Sequence, residues 1–119
     1  MKIAFTTSGN DLTAPLDSRF GRAPKFLVYN MEKKDFIIMD NTQNLNAPQG
    51  AGIQSAKNVI EAGVEVVVTG HTGPKAFTVL RQAKVRIFLC SNKTVQEALE
   101  DYQNGNLKEI DNADVDGHW

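Results

Sequence analysis

The sequence has little of what disulfides and protein-built metal sites require. Its 119 residues include one cysteine, Cys90, and two histidines. A single cysteine excludes an internal disulfide and is typical of a reducing compartment. With no Cys-x-x-Cys pair and no paired histidines, the chain cannot form a four-thiolate iron–sulfur site or a closed structural zinc site. Any metal cluster that it binds must therefore bring its own ligands.

Excess charge of one sign and long apolar runs are also absent. The formal net charge is −1, with 41% apolar and 23% charged residues, which is typical of a globular domain and gives no basic surplus for nucleic acid. No apolar run approaches membrane-spanning length, and no signal-like segment precedes the first strand-like stretch. We therefore expect a cytoplasmic protein whose partners include neither nucleic acid nor a membrane.

The order of apolar segments predicts a single α/β domain over residues 1–119. Strands are predicted over 1–7, 26–31, 36–40, 64–70 and 85–90, and the second and third should pair as an antiparallel hairpin. Helices are predicted after residues 52, 73 and 94. A β-meander continued by parallel strand–helix units is the order of a ribonuclease H-like mixed sheet with flanking helices. We expect residues 106–119 to form a short closing segment, with a loose tail from about 111.

This topology predicts a binding site at the carboxyl ends of the parallel strands, where chain connections diverge. A long loop leaves the first strand there and carries Arg19, Arg22 and Lys25 within seven residues, spaced by Gly21 and Pro24. Charge-assisted donors on a loop of defined shape suit an anion. The alternative is a solvated connector whose phenylalanines anchor it in the core.

Gly50 and Gly52 precede the first predicted helix. They are a poor match to a dinucleotide-binding fingerprint, because Ser55 stands where the last glycine would be and no strand precedes them. The N–H groups of a helix start can still attract an anion, although a flexible helix start is the alternative.

His71 and Cys90 are the two candidate metal ligands. His71 lies near glycines at a strand end, where a side chain can point into a cleft. Cys90 ends another strand, and a cysteine there is more often a core residue than a ligand, by roughly two to one. His71 alone makes no catalytic triad, and the first strand, residues 3–7, has no carboxylate for a nuclease.

Five segments together resemble the dinitrogenase iron-molybdenum cofactor biosynthesis family of small carrier and accessory proteins. They are MKIAF (1–5), DSRFGRA (17–23), GAG (50–52), VVTGHTG (67–73) and TVQEA (94–98). The resemblance spans nearly the whole chain and implies a ribonuclease H-like fold and binding rather than catalysis. It further implies a molybdenum–copper sulfide cluster held without covalent attachment. Cofactor carriers of this family have a histidine before the Phe-Gly pair, where this chain has Arg19, which argues against direct ligation of an iron–molybdenum cofactor.

The resemblance and the residues together predict a site for a preformed anionic metal–sulfide cluster. Arg19 would supply charge, glycine-turn N–H groups would donate to sulfur, and Phe20 and Ile53 would cover an apolar edge. The predicted binding residues are Ser8, Gly9, Arg19, Phe20, Gly21, Arg22, Gly50, Gly52, Ile53, Gly70, His71 and Gly73, with His71 and Cys90 as candidate metal ligands. Two other functions stay open: an interaction module for a partner ATPase, and a small enzyme acting on a phosphorylated ligand.

Overall fold

A computed structural model of the chain describes residues 1–42 and 51–111. The strands are β1 (Lys2–Thr7), β2 (Lys25–Asn30), β3 (Asp35–Asp40), β4 (Val64–Thr69), β5 (Arg86–Leu89) and β6 (Lys108–Glu109). The helices are α1 (Ala51–Glu61), α2 (Pro74–Gln82) and α3 (Val95–Gln103). The strands form one sheet in the order β3-β2-β1-β4-β5-β6.

The sheet is mixed in the way that the sequence predicts. β1, β2 and β3 pair antiparallel as a meander, and β1, β4 and β5 pair in parallel. Parallel neighbours need crossover connections, and α1 and α2 supply them. The predicted ribonuclease H-like α/β class is confirmed.

One strand is missing from the sequence prediction. β6 lies in the segment interpreted only as a closing stretch, and it pairs antiparallel with β5. Its two residues are too short and too polar to show strand periodicity, and the adjacent Ile110 is buried and donates its N–H to the carbonyl of Ile87 at 3.0 Å. The predicted tail lies outside the described residues from position 112 onward.

The core has one layer on each face of the sheet. β4 shows the alternation: Val67 packs in the cluster under α1 and α2, whereas Val66 and Val68 pack in the cluster under α3. α3 begins with the predicted capping box, in which Thr94 and Glu97 each accept the other's backbone N–H. None of the helices in the described ranges is long and apolar enough to cross a bilayer.

Candidate anion-binding site at the carboxyl edge of the sheet

The segment between β1 and β2, residues 8–24, crosses the carboxyl edge of the sheet and is here called the crossing loop. Its first half docks on the start of α3. Leu16 donates its N–H to the carbonyl of Lys93, and Val95 donates to the carbonyl of Ala14, both at 2.9 Å. This half of the crossing loop therefore belongs to the α3 face.

The middle of the crossing loop is fixed by buried hydroxyls at the ends of β1 and β4. Thr6 donates its Oγ1 hydrogen to the carbonyl of Asp17 at 2.7 Å, and the N–H of Asp17 donates to the carbonyl of Thr6 at 2.7 Å. The hydroxyls of Thr6 and Thr69 lie 3.0 Å apart, and both side chains are fully buried. Neither threonine was among the predicted site residues, although polar residues at the ends of otherwise apolar strands were a usable signal.

The second half of the crossing loop runs beside the residues that follow β4. Arg19 and His71 form an isolated parallel bridge, and the N–H of Phe20 donates to the carbonyl of His71 at 3.1 Å. Phe20 is 1% exposed, and its ring centroid lies 5.4 Å from that of Phe26. The structure thus places Phe20 in the core under α1 and α2, and not on the ligand-facing surface where the sequence analysis put it.

Glycines let the crossing loop approach its neighbours closely. A Cβ on Gly70 would lie 2.7 Å from the Cα of Ser18, and one on Gly21 would lie 2.8 Å from the Cα of Gly52. A Cβ on Gly9 would lie 2.3 Å from that of Ala14. These glycines therefore have a packing role that is independent of any ligand.

The structure brings most of the predicted site residues together on the α1 and α2 side of the edge. Gly70 contacts Ser18, His71 pairs with Arg19, and Gly21 contacts Gly52 at the start of α1. Gly73 is the N-cap of α2, and Arg22 and Ile53 are half-buried. Ser8 and Gly9 begin the half of the loop that docks toward α3, and Gly50 lies outside the described residues.

The electrostatics of this edge favour an anion. The first turns of α1 and α2 contain no acidic residue, and Gly73 offers no side-chain cap, so the positive ends of the helix dipoles are not neutralised locally. The two starts are adjacent, since a Cβ on Gly52 would lie 3.2 Å from that of Ala76. The side chain of Arg19 is half-exposed. Its Nε lies 3.9 Å from Oδ1 of Asp17, which is a long distance for an ion pair.

The two candidate metal ligands belong to different surroundings. Cys90 is part of the core cluster under α3 and borders a cleft of about 420 Å³ with Leu16 and Ser18, whereas His71 lies beside Arg19. Burial raises the pKa of the Cys90 thiol, which disfavours the thiolate that binds metals. Within residues 1–42 and 51–111, no three His, Cys, Asp or Glu side chains are grouped to hold a metal ion.

Two solved structures and one sequence relative match nearly the whole chain. The apo form of the orange protein from Desulfovibrio gigas superimposes with a TM-score of 0.93 at 30% identity, covering 96% of each chain. A putative NifB protein from Thermotoga gives a TM-score of 0.81 at 30% identity, covering 91% of each chain. An uncharacterized protein from Methanocaldococcus jannaschii is 28% identical over 114 residues, 93% of this chain and 92% of the relative.

The family comparison agrees with the resemblance inferred from the loop, the glycine turns and the capping box. A family model described as dinitrogenase iron-molybdenum cofactor matches residues 1–105. That match takes in all five segments on which the resemblance rests, including the crossing loop and the residues that follow β4. The chain therefore belongs to the dinitrogenase iron-molybdenum cofactor family.

Proposed function

We propose that this protein binds and carries a preformed anionic metal–sulfide cluster that contains molybdenum, with a molybdenum–copper sulfide as the favoured cargo. The protein acts as a carrier and not as an enzyme. Family membership and the likeness to the apo orange protein support a cluster-related role. The choice of molybdenum with copper follows from the resemblance to the orange protein and is the part that experiment must establish.

The observation that carries the proposal is the pairing of Arg19 with His71 beside two helix starts. The bridge fixes the backbone of the cationic loop at the edge of the sheet, while the guanidinium of Arg19 stays half-exposed. The start of α2, which has no side-chain cap, and that of α1, whose first turn has no acidic residue, add partial positive charge to the same edge. A fixed array of donors and positive charge binds a compact anion without reorganising.

The residues present fit a cluster that carries its own sulfides better than they fit a bare metal ion. The described residues offer cations and backbone N–H groups, but no group of metal ligands. Sulfides already satisfy the metals of such a cluster, so the protein needs to supply only charge, hydrogen bonds and shape. Arg19 and the turns at Gly52, Gly70 and Gly73 would contribute those contacts.

Two measurements on protein from its native source test the identity of the bound cluster: metal analysis and the visible absorption spectrum. Molybdenum and copper with a charge-transfer band support the proposal. A colourless, metal-free protein that binds a partner ATPase would instead favour the interaction module. Turnover of a phosphorylated metabolite would favour the enzyme.

Reconstitution tests the site. Purified apoprotein is mixed with tetrathiomolybdate, alone and with a copper salt, and the molybdenum retained after gel filtration is measured. Arg19→Ala should retain several-fold less molybdenum than wild type. Lys33→Ala is the matched control, because Lys33 lies in the β2–β3 turn at the opposite end of the sheet. Equal losses in the two variants would contradict the assignment of the site to the crossing loop.

A further inference from the structure

One carboxylate oxygen of Asp17 contacts both the backbone and the side chain of Arg19. Oδ1 of Asp17 accepts the backbone N–H of Arg19 at 2.9 Å, and the same atom lies 3.9 Å from Nε of the Arg19 guanidinium. A side-chain oxygen that accepts the N–H two residues later closes an Asx turn, which gives the chain a defined local shape. Asp17 therefore orients the cation on which the proposed function depends.

Asp17 is itself bonded to the sheet. Its N–H donates to the carbonyl of Thr6, and its C=O accepts the hydroxyl hydrogen of Thr6, each at 2.7 Å. Thr6 is fully buried in β1, and its hydroxyl lies 3.0 Å from that of Thr69 in β4. The side chain of Asp17 is 16% exposed, whereas that of Arg19 is 51% exposed. The carboxylate is thus fixed to the sheet, and the guanidinium is the partner that reaches solvent.

The residues on either side of Arg19 are held by contacts that do not involve the carboxylate of Asp17. Ser18 packs so closely on Gly70 that a Cβ there would lie 2.7 Å from the Cα of Ser18. Phe20 is buried and donates its N–H to the carbonyl of His71 at 3.1 Å. Replacement of the Asp17 side chain should therefore change the orientation of Arg19 while the crossing loop stays docked.

The charge of Asp17 opposes the charge of the proposed cargo. An anionic cluster that binds the Arg19 guanidinium must approach a carboxylate that is already close to it, and like charges repel. An exposed ion pair at long distance contributes little stability, so an incoming anion can displace it. The carboxylate thus lowers the affinity for an anion without preventing binding.

We propose that Asp17 is a positioning residue for Arg19 and that its carboxylate also competes with the cluster for the guanidinium. The competition keeps the affinity low enough for a carrier to release what it binds. This inference rests on the proposed function and adds to it the residue that sets the affinity. The two roles predict opposite effects: loss of the turn acceptor should weaken binding, and loss of the charge alone should strengthen it.

Two substitutions of Asp17 separate these roles. Asp17→Asn keeps an oxygen for the Asx turn and removes the charge, so the dissociation constant of tetrathiomolybdate, measured by isothermal titration calorimetry, should fall about three- to tenfold. Asp17→Ala removes the same charge and also the acceptor, so it should bind several-fold more weakly than Asp17→Asn. Asp35→Asn is the matched control, because Asp35 begins β3 at the opposite end of the sheet, and its dissociation constant should match that of the wild type.

Salt and a second substitution test whether the competition acts through Arg19. The gain from Asp17→Asn should shrink as sodium chloride is raised, because salt screens charge, whereas the difference between the Asn and Ala variants should persist. The gain should also shrink in the Arg19→Ala background. A gain of the same size in that background would show that Asp17 acts on the cluster directly and would overturn competition for the guanidinium.

Amide hydrogen exchange tests the positioning role without any cluster. The backbone N–H of Arg19 should be protected in the wild type and in Asp17→Asn, and should lose protection in Asp17→Ala, while the N–H of Phe20 stays protected in all three. Equal exchange and equal affinity in the Asn and Ala variants would overturn the positioning role. An Asp17→Asn variant that binds no more tightly than the wild type would overturn the competition. If the wild type bound no tetrathiomolybdate, the proposed function and the competition would both fail, but the exchange pattern would still decide the positioning role.

Discussion

Phe20 donates its backbone N–H to the carbonyl of His71 over 3.1 Å, which ties the crossing loop to the residue just beyond the end of β4. The side chain of Phe20 turns into the core, while that of Arg19, one residue earlier, stays half-exposed. One hydrogen bond and one buried ring therefore hold a cation in place at the edge of the sheet. A binding loop can be both charged and rigid because its neighbouring residue is an anchor.

The contact between Gly70 and Ser18 should be sensitive to a single methyl group. We expect Gly70→Ala to lower the free energy of unfolding by about 1–3 kcal/mol, because the added Cβ would lie 2.7 Å from backbone atoms of Ser18. Chemical denaturation measures the loss. Ser8→Ala, at an exposed position in the same loop, is the control and should stay within about 0.5 kcal/mol of wild type. A Gly70→Ala variant as stable as the control would show that the crossing loop can shift to accommodate the added methyl group without loss of stability.

Ionic strength should weaken cluster retention if Arg19, Arg22 and Lys25 hold the cargo by charge. Interactions between exposed charges are screened over about 10 Å at 0.1 M salt, so retained molybdenum should fall steadily as sodium chloride is raised at fixed neutral pH. Arg19→Ala should show a shallower salt dependence than wild type. If the amount of retained molybdenum did not depend on salt concentration, the protein would hold the cluster by coordinate bonds and not by charge.

Cys90→Ser should leave the reconstituted cluster largely intact, since the thiol packs under α3 and burial raises its pKa. A buried hydroxyl without a good partner costs about 1–3 kcal/mol, so some loss of stability is expected. Cys90→Ala removes the sulfur without adding a polar group and separates these two effects. Loss of visible absorbance in both variants while they remain folded would make Cys90 a copper ligand.

The capping box at the start of α3 should make stability depend on pH. Hydrogen bonds from Thr94 lower the pKa of Glu97 below its ordinary value of 4.5. The unfolded chain then binds more protons than the folded chain in this range, so the contribution is present above about pH 4.5 and is lost as pH falls through the folded pKa. Thermal unfolding of Glu97→Gln should show a flatter profile between pH 3 and 5 than wild type.

Glu97→Ala provides the comparison for the capping box. It removes the hydrogen bond to the Thr94 N–H as well as the titration, so it should lower the melting temperature at neutral pH also. If Glu97→Gln lost as much stability at pH 7 as at pH 3, the ionisation of Glu97 would not account for the pH dependence.

Local patterns in the sequence determined the elements and their order. Apolar runs at 64–69, the hairpin around residues 31–34 and the capping box at Thr94 each report on contacts within one element or between neighbours. The periodicity of apolar residues and the capping residues of a helix are properties of short segments, so they can be recognised without the rest of the chain. The cationic character of the crossing loop was visible for the same reason.

Only the tertiary structure decided which way the loop residues face and what they meet. Phe20 could have covered a ligand, but the space beside Phe26 in the core takes its ring. Gly21 and Gly70 were predicted from the sequence to be binding residues. Their close approach to Gly52 and Ser18 depends on segments far away in sequence. The two residues of β6 form a strand only because they pair with the edge of β5. Such contacts result from the packing of all elements at once, and no local period encodes them.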